Sequence, residues 1–199
     1  TPETINVVEL SSYQLESIRE LRTNVAMVLN VTPDHLDRHG NFKSYAAAKA
    51  RIFENQTEED IAILNADDDT CRQYATMTKA RVLLFSRLHE VAAGAYLDGA
   101  DIVYSNGEYA YTVMDVAEIR LKGSHNVENV LAAMCAVLAI AGDPKLVRLG
   151  VHDFKGVENR REVVTKPGEV EFYTASKATK VPVAMQEITS LRLRRVSVV

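Results

Sequence analysis

Residue types that hold cations or move protons stand at the ends of three apolar runs in the first part of the chain. Glu9 closes INVVEL (5–10) and is followed by Ser11, Ser12 and Gln14; Asn30, Thr32, Asp34 and His35 end or follow VAMVLNV (25–31); Asn65, Asp67, Asp68 and Asp69 end or follow IAILN (61–65). A glutamate and a histidine at neighbouring strand ends, with few other ligands, suit Mg²⁺ better than zinc. Mg²⁺ takes one or two protein oxygens and leaves its other positions to water and substrate phosphates. Each cluster also has a local reading, Glu9 at the start of a following helix and Asp67–Asp69 as a helix cap. Lys49 is the odd residue. Phe42, Tyr45, Ala46, Ile52 and Phe53 recur at helical spacing and define one apolar stripe, and Lys49 falls on it between Tyr45 and Phe53. An ammonium buried there is costly unless it is paired, neutralised or chemically changed; the alternative is that it snorkels to solvent past a short helix end.

Other chemistries lack their residues. Neither G-x-x-x-x-G-K-[ST] nor G-x-G-x-x-G occurs, so no glycine-rich phosphate loop is present in the sequence. No Ser-His-Asp or Cys-His arrangement is legible, His89 and His152 standing in polar loops without partners. Cys71 and Cys135 have no metal-type spacing, and Cys135 sits in an apolar helix as a small core residue.

The elements that must position these residues alternate. INVVEL, VAMVLNV, IAILN and VLLF (82–85) are short, continuous and aliphatic, as strands covered on both faces are, and helical patterns lie between them near 12–21, 41–55 and 68–77. This order predicts an α/β fold with a mostly parallel sheet flanked by helices. In such sheets ligands bind at the carboxyl ends of the strands, where the three clusters lie. DIVYSNGEYAYTV (101–113) carries Asn106-Gly107 between alternating apolar residues, which predicts an antiparallel hairpin at the sheet edge. GSHNVENVLAAMCAVLAIAGDP (123–144) predicts a long helix capped by Ser124 or Asn126, faced by Val127, Val130, Leu131, Met134 and Leu138 and stopped by Gly142 and Pro144. A helix near 145–150, a linker, a hairpin over 162–176 with a Pro-Gly turn, a helix near 180–190 and a final strand follow. The expected division is 1–155 as one nearly whole domain and 156–199 as the beginning of a second α/β domain.

With 199 residues, 47% of them hydrophobic, the chain can bury a core. A net charge of −4 and scattered cations argue against nucleic acid or an anionic membrane as partner; only Arg192, Arg194 and Arg195 cluster. No stretch reads as a membrane span or a signal peptide; a cytoplasmic location, small-molecule substrates and a monomeric state are the expectations. The chain starts at Thr-Pro and reads as a piece of something longer.

VELSSYQLE (8–16), LNVTPDHLDRHG (29–40), YAAAKARIFEN (45–55), LNADDD (64–69), FSR (85–87), GSHNVENVLAA (123–133), F-x-G-V-x-x-R-x-E-x-V (154–164) and SKAT (176–179) occur in this order. In these strings the sequence resembles the Mur ligases, most closely their D-glutamate-adding branch, over almost its whole length. The resemblance implies an ATP-dependent amide ligase that adds D-glutamate to UDP-MurNAc-L-alanine in peptidoglycan synthesis, through an acyl phosphate, with Mg²⁺. It assigns Glu9 and His35 to the metal, with Asp34 supporting the turn. Lys49 matches the lysine that the family carbamylates, which would make it an anion beside the metal, so Lys49 and His35 count as catalytic together with Lys177. Ser11, Gln14 and Thr179 match substrate positions; Asn126, Asn129 and Arg160 match nucleotide contacts.

Two departures stand out: Asn159-Arg160 where the family commonly has His-Arg, and Ala175 where it has an aspartate before Ser-Lys-Ala-Thr. They leave open a degenerate homologue that only binds nucleotide or a partner. A folylpolyglutamate-type ligase is a further alternative, and ELSSYQLE argues against it. The family's ATP-binding loop lies upstream of the position of Thr1, so this polypeptide alone is expected not to catalyse ligation.

Overall fold

A computed structural model of the chain describes residues 4–121 and 123–156 in full, and the backbone of 162–165 and 172–174. Six strands form one sheet in the order β1 (Val25–Val28), β2 (Ile61–Asn65), β3 (Arg81–Ser86), β4 (Ala93–Asp98), β5 (Asp101–Asn106), β6 (Ala110–Asp115). The first four run parallel, and β5 and β6 add antiparallel pairs. Asn106 Oδ1 accepts from the backbone N–H groups of Glu108 and Tyr109 at 2.9 and 3.0 Å, and Gly107 supplies the positive φ of the turn.

Helices cover both faces. The single-turn helices α1 (Ser12–Leu15) and α2 (Leu36–His39) precede α3 (Phe42–Ala50), which a 3-10 turn, Arg51–Phe53, extends; α4 is Asp69–Tyr74. Tyr45, Phe53, Cys71 and Tyr74 from α3, its extension and α4 pack with Ala26, Val28, Ala62 and Leu64 on one face of the sheet. On the other face α5 (Ser124–Ala141) and α6 (Pro144–Asp153) bring Leu131, Met134, Cys135, Leu138 and Val147 against Ile63, Leu83, Phe85 and Ile102. Two more strands, β7 (Glu162–Thr165) and β8 (Phe172–Thr174), pair antiparallel as a separate two-stranded sheet, where a hairpin was expected.

Several expectations are corrected. INVVEL is not a strand: residues 4–11 carry no ladder, and Ile5, Val7 and Val8 are 66%, 95% and 67% exposed. Its composition fits a strand covered on both faces, but no strand among the described residues pairs with it. The helix expected over 12–21 is one turn, because the Arg51 guanidinium binds the carbonyls of Glu16 and Ile18, which turn toward α3. The strand VAMVLNV stops at Val28; beyond it Asn65 Nδ2 donates to the Leu29 carbonyl at 2.8 Å and Asp68 accepts from Val31 N–H at 3.2 Å, side chains replacing the ladder. Strand β4 was not anticipated. The cap of α5 is Gly123, at φ 111°, and neither Ser124 nor Asn126. His152 lies on α6, paired with Asp153 and Arg120, and not in a loop. Finally, α5 is long and apolar enough to cross a membrane by length and composition, with a mean hydropathy of 1.3, against the reading that no stretch is. In this fold its apolar stripe lies on the sheet.

Candidate functional site

The segment 9–14, the turn at 34–35 and helix α3 converge on a cavity of about 360 Å³ lined by Glu9, Leu10, Ser11, Ser12, Gln14, Asp34, His35, Tyr45 and Lys49. Its walls follow from local chemistry. Ser11 caps α1, its Oγ accepting from Gln14 N–H while Gln14 Oε1 accepts from Ser11 N–H at 2.8 Å, a reciprocal capping box. This fixes both residues at the cavity's rim. His35 sits at φ 51°, the one non-glycine residue with positive φ among the described residues, and its N–H donates to Asp34 Oδ1 at 2.7 Å. Asp34 Oδ2 also lies 3.5 Å from His35 Nε2. Left-handed backbone at a bulky residue is uncommon and gathers at functional sites. Asn41 caps α3 through Ser44 N–H at 2.9 Å, which sets the helix that presents Lys49.

Lys49 is half-buried, with Nζ 6.0 Å from the centre of the Tyr45 ring. Burial pushes its ammonium toward the neutral amine, and the charge of Glu9 opposes that shift. The Tyr45 phenol is pushed up by burial alone. Two carboxylates, Glu9 and Asp34, the His35 imidazole and a lysine whose charged form burial disfavours form this donor set. Among the described residues no group of three His, Cys, Asp or Glu is gathered closely enough to hold a metal. Among the described residues the cavity offers a cation Glu9, His35 and Asp34, whose carboxylate also accepts from the His35 N–H, beside Lys49.

A second cavity, of about 390 Å³, lies between α5 and α6 and is walled by apolar side chains such as Leu121, Met134, Val147 and Phe154, with the amides of Asn126 and Asn129. Apolar walls with a few amides suit a flat heterocycle. The structure thus brings together Glu9, Ser11, Gln14, His35 and Lys49 in one cavity, and Asn126 and Asn129 in another. Arg160, Lys177 and Thr179 lie outside the described residues. Asp68 caps α4 through Cys71 N–H at 2.8 Å, and Asp67 accepts from Ser86 Oγ at 2.6 Å and from Arg87 N–H at 2.8 Å, so both belong to the scaffold. Sequence reasoning placed Ser12 in the polar cluster after Glu9 but missed Tyr13, Glu16 and His39 as neighbours of the site. The available signal was spacing, since Ser12 and Glu16, and likewise His35 and His39, stand four residues apart.

A family model for the Mur ligase middle domain matches residues 2–137. The chain is 47% identical over 188 residues to the UDP-N-acetylmuramoylalanine–D-glutamate ligase of Koribacter versatilis, covering 94% of this chain and 42% of that enzyme. It is also 47% identical over 177 residues to the ligase of the same name from Desulfitobacterium hafniense strain Y51, covering 89% and 39%. Among solved structures, MurF from Acinetobacter baumannii superposes at a TM-score of 0.70 with 18% identity, over 93% of this chain and 40% of that one. A UDP-N-acetylmuramoyl-L-alanyl-D-glutamate–2,6-diaminopimelate ligase superposes at 0.66 with 25% identity, over 94% and 39%. The chain spans about two fifths of the length of the curated relatives it matches. A six-stranded, mostly parallel sheet with helices on both faces, the matching family model and this level of identity lead to one conclusion: the chain belongs to the Mur ligase family.

Proposed function

We propose that the protein carrying this chain is an ATP-dependent ligase that joins D-glutamate to UDP-MurNAc-L-alanine for peptidoglycan synthesis. The observation that carries this reading is Lys49, a half-buried lysine in the same cavity as Glu9 and His35, in a chain 47% identical to ligases of that name. In this reading ATP passes its γ-phosphoryl group to the substrate carboxylate, forming an acyl phosphate and ADP. The D-glutamate amine then attacks the acyl carbon, and phosphate leaves from the tetrahedral intermediate. Charge builds on clustered phosphate oxygens, and catalysis has to supply fixed positive charge against it.

Glu9 and His35 would hold Mg²⁺ together with a carbamate on Lys49. The neutral amine that burial favours adds CO₂ through its nitrogen lone pair and releases one proton, so a misplaced cation becomes a carboxylate-like ligand. Mg²⁺ bound there supplies Lewis-acid neutralisation of phosphate oxygens. Ser11 and Gln14, fixed by their capping box, face the nucleotide-sugar substrate, and Thr179 serves D-glutamate. Asn126 and Asn129 read the adenine base, whose apolar faces suit the cavity between α5 and α6; Arg160 and Lys177 serve ATP from beyond the domain junction. The division 1–155 and 156–199, a cytoplasmic location, a monomeric state and the absence of nucleic-acid or membrane partners complete the proposal.

The test is phosphate release by the intact protein with ATP, UDP-MurNAc-L-alanine and D-glutamate. Release that needs all three, with the D-glutamyl product seen by mass spectrometry, is the expected result. A folded intact protein that binds ATP and releases none would sink the ligase reading and favour a non-catalytic homologue.

A further inference from the structure

Beside the Glu9–His35–Lys49 cavity runs a second line of polar contacts. Ser12 Oγ lies 3.0 Å from His39 Nε2, and His39 Nδ1 lies 3.2 Å from Glu16 Oε1. The other Glu16 oxygen accepts from Arg38 Nη2 at 2.9 Å. Ser12 and the His39 side chain are each 2% exposed, and the imidazole packs beside the rings of Tyr45 and Tyr13, with centroids 5.4 and 5.8 Å away. Serine, imidazole and carboxylate in this order are the parts of a hydrolase triad, an arrangement the sequence alone did not reveal. Ser12 is too enclosed for an acyl group to form on it. The order has another consequence.

The Arg38 guanidinium holds the Glu16 carboxyl below its usual range, so Glu16 is ionised and offers only lone pairs. His39 Nδ1 must then carry the ring proton. A neutral imidazole protonated there has a bare Nε2, which can only accept, so the Ser12 hydroxyl donates to it. What Ser12 keeps is acceptor capacity, on a residue that lines the cavity. The contact also has mechanical weight. Among the described residues no strand pairs with 4–11, and α1 is a single turn. The segment bearing Glu9, Ser11 and Gln14 is held to α2 and α3 by Ser12–His39, Glu16–His39, Glu16–Arg38 and the Arg51 contacts.

We propose that His39, oriented by Glu16, is a positioning residue for the cavity: it clamps α1 onto α2 through Ser12 and leaves the Ser12 hydroxyl as an acceptor. The kinetic part rests on the ligase reading above; the spectroscopic part does not. In the intact protein labelled with ¹⁵N-histidine, with His39 assigned by its loss in His39→Phe, the neutral ring is expected as the Nδ1–H tautomer, the minor form of free histidine. The same spectrum reads His35, whose ring lies 5.0 Å from that of Tyr13 on α1. Ser12→Ala is expected to shift the His35 resonances, because α1 loses its anchor.

In ligation assays His39→Phe, which keeps an aromatic ring but makes no hydrogen bond, lowers kcat/KM for the sugar nucleotide about tenfold and leaves KM for ATP within about twofold. His39→Gln, whose amide oxygen can replace Nε2 as acceptor, recovers most of that loss. An Nε2–H tautomer, or His35 signals unmoved in Ser12→Ala, would overturn the proposal. Equal losses in His39→Phe and His39→Gln, tracking a lower Tm, would reduce His39 to a packing residue. The expected tautomer and shift in a protein that ligates nothing would leave the clamp standing and remove the ligase reading alone.

Discussion

A lysine with Tyr45 before it and Phe53 after it on one stripe must lose either its charge or its burial, and Lys49 is half-buried beside Glu9. Lys49→Met, which keeps the stem and removes the amine, is expected to lower ligation by the intact protein at least about a hundredfold. Its thermal midpoint stays level or rises, because a partly desolvated cation has gone. A parallel loss of stability and activity would show that Lys49 is structural. Asp60 makes the opposite case. Its side chain is 1% exposed, and Arg22 binds it through Nε at 2.8 Å and Nη2 at 3.1 Å, which with the Thr57 N–H holds its carboxyl down at about 2. Between the ordinary value of 3.8 and about 2 the unfolded chain binds the extra proton. Stability present above that window is therefore lost as pH falls through it. Asp60→Asn is expected to cost about 2–3 kcal/mol at neutral pH and to flatten the acid limb, measured by denaturant titration between pH 2 and 5. The residue types of the site were legible in the sequence, since Glu9, His35 and Lys49 all line one cavity. His39 was not, because its partner Ser12 is 27 residues away and hydrogen bonds across that distance leave no local pattern.

At the scale of elements, local chemistry is legible where turns and caps decide it, and it fails where a neighbour decides. The hairpin turn at Asn106-Gly107 and the stop at Gly142, at φ 67°, follow from their residues. INVVEL has the composition of a strand but, among the described residues, no partner strand, so composition alone misleads. Strand β4, AGAYLD, carries a glycine that weakens its own signal and is required by its neighbour. Gly94 adopts φ +128° opposite Leu84 of β3, and a Cβ there would lie 1.8 Å from the Leu84 carbonyl oxygen. Gly94→Ala is expected to leave little folded protein, or to lose more than about 3 kcal/mol where it folds, read by circular dichroism and chemical denaturation. Asn41→Ala, which removes the cap of the helix bearing Lys49, costs about 1 kcal/mol by the same measurement.

Across the whole molecule, apolar surface is unevenly distributed. Among the described residues Ile5, Val7 and Val8 are exposed along a segment without a strand partner, and β1 lies at an edge of the sheet. Contiguous exposed aliphatic residues and an open strand edge favour association. This polypeptide expressed alone is expected to self-associate as its concentration rises, by light scattering, and Val7→Asn with Val8→Lys should reduce that. A monodisperse monomer at every concentration would count against an adhesive segment. The strand order carries another consequence. Because strands β1 to β6 lie in the sheet in the order in which they occur in the chain, each emerging strand finds its partner already made. The core of α3, α4 and the first three strands uses residues no later than Leu84, whereas the opposite face waits for α5, forty residues on. On the ribosome, one face of the sheet can close while Ile63, Leu83 and Phe85 still lack their cover, so the interval before Leu131 and Met134 emerge is when the nascent protein most needs a chaperone.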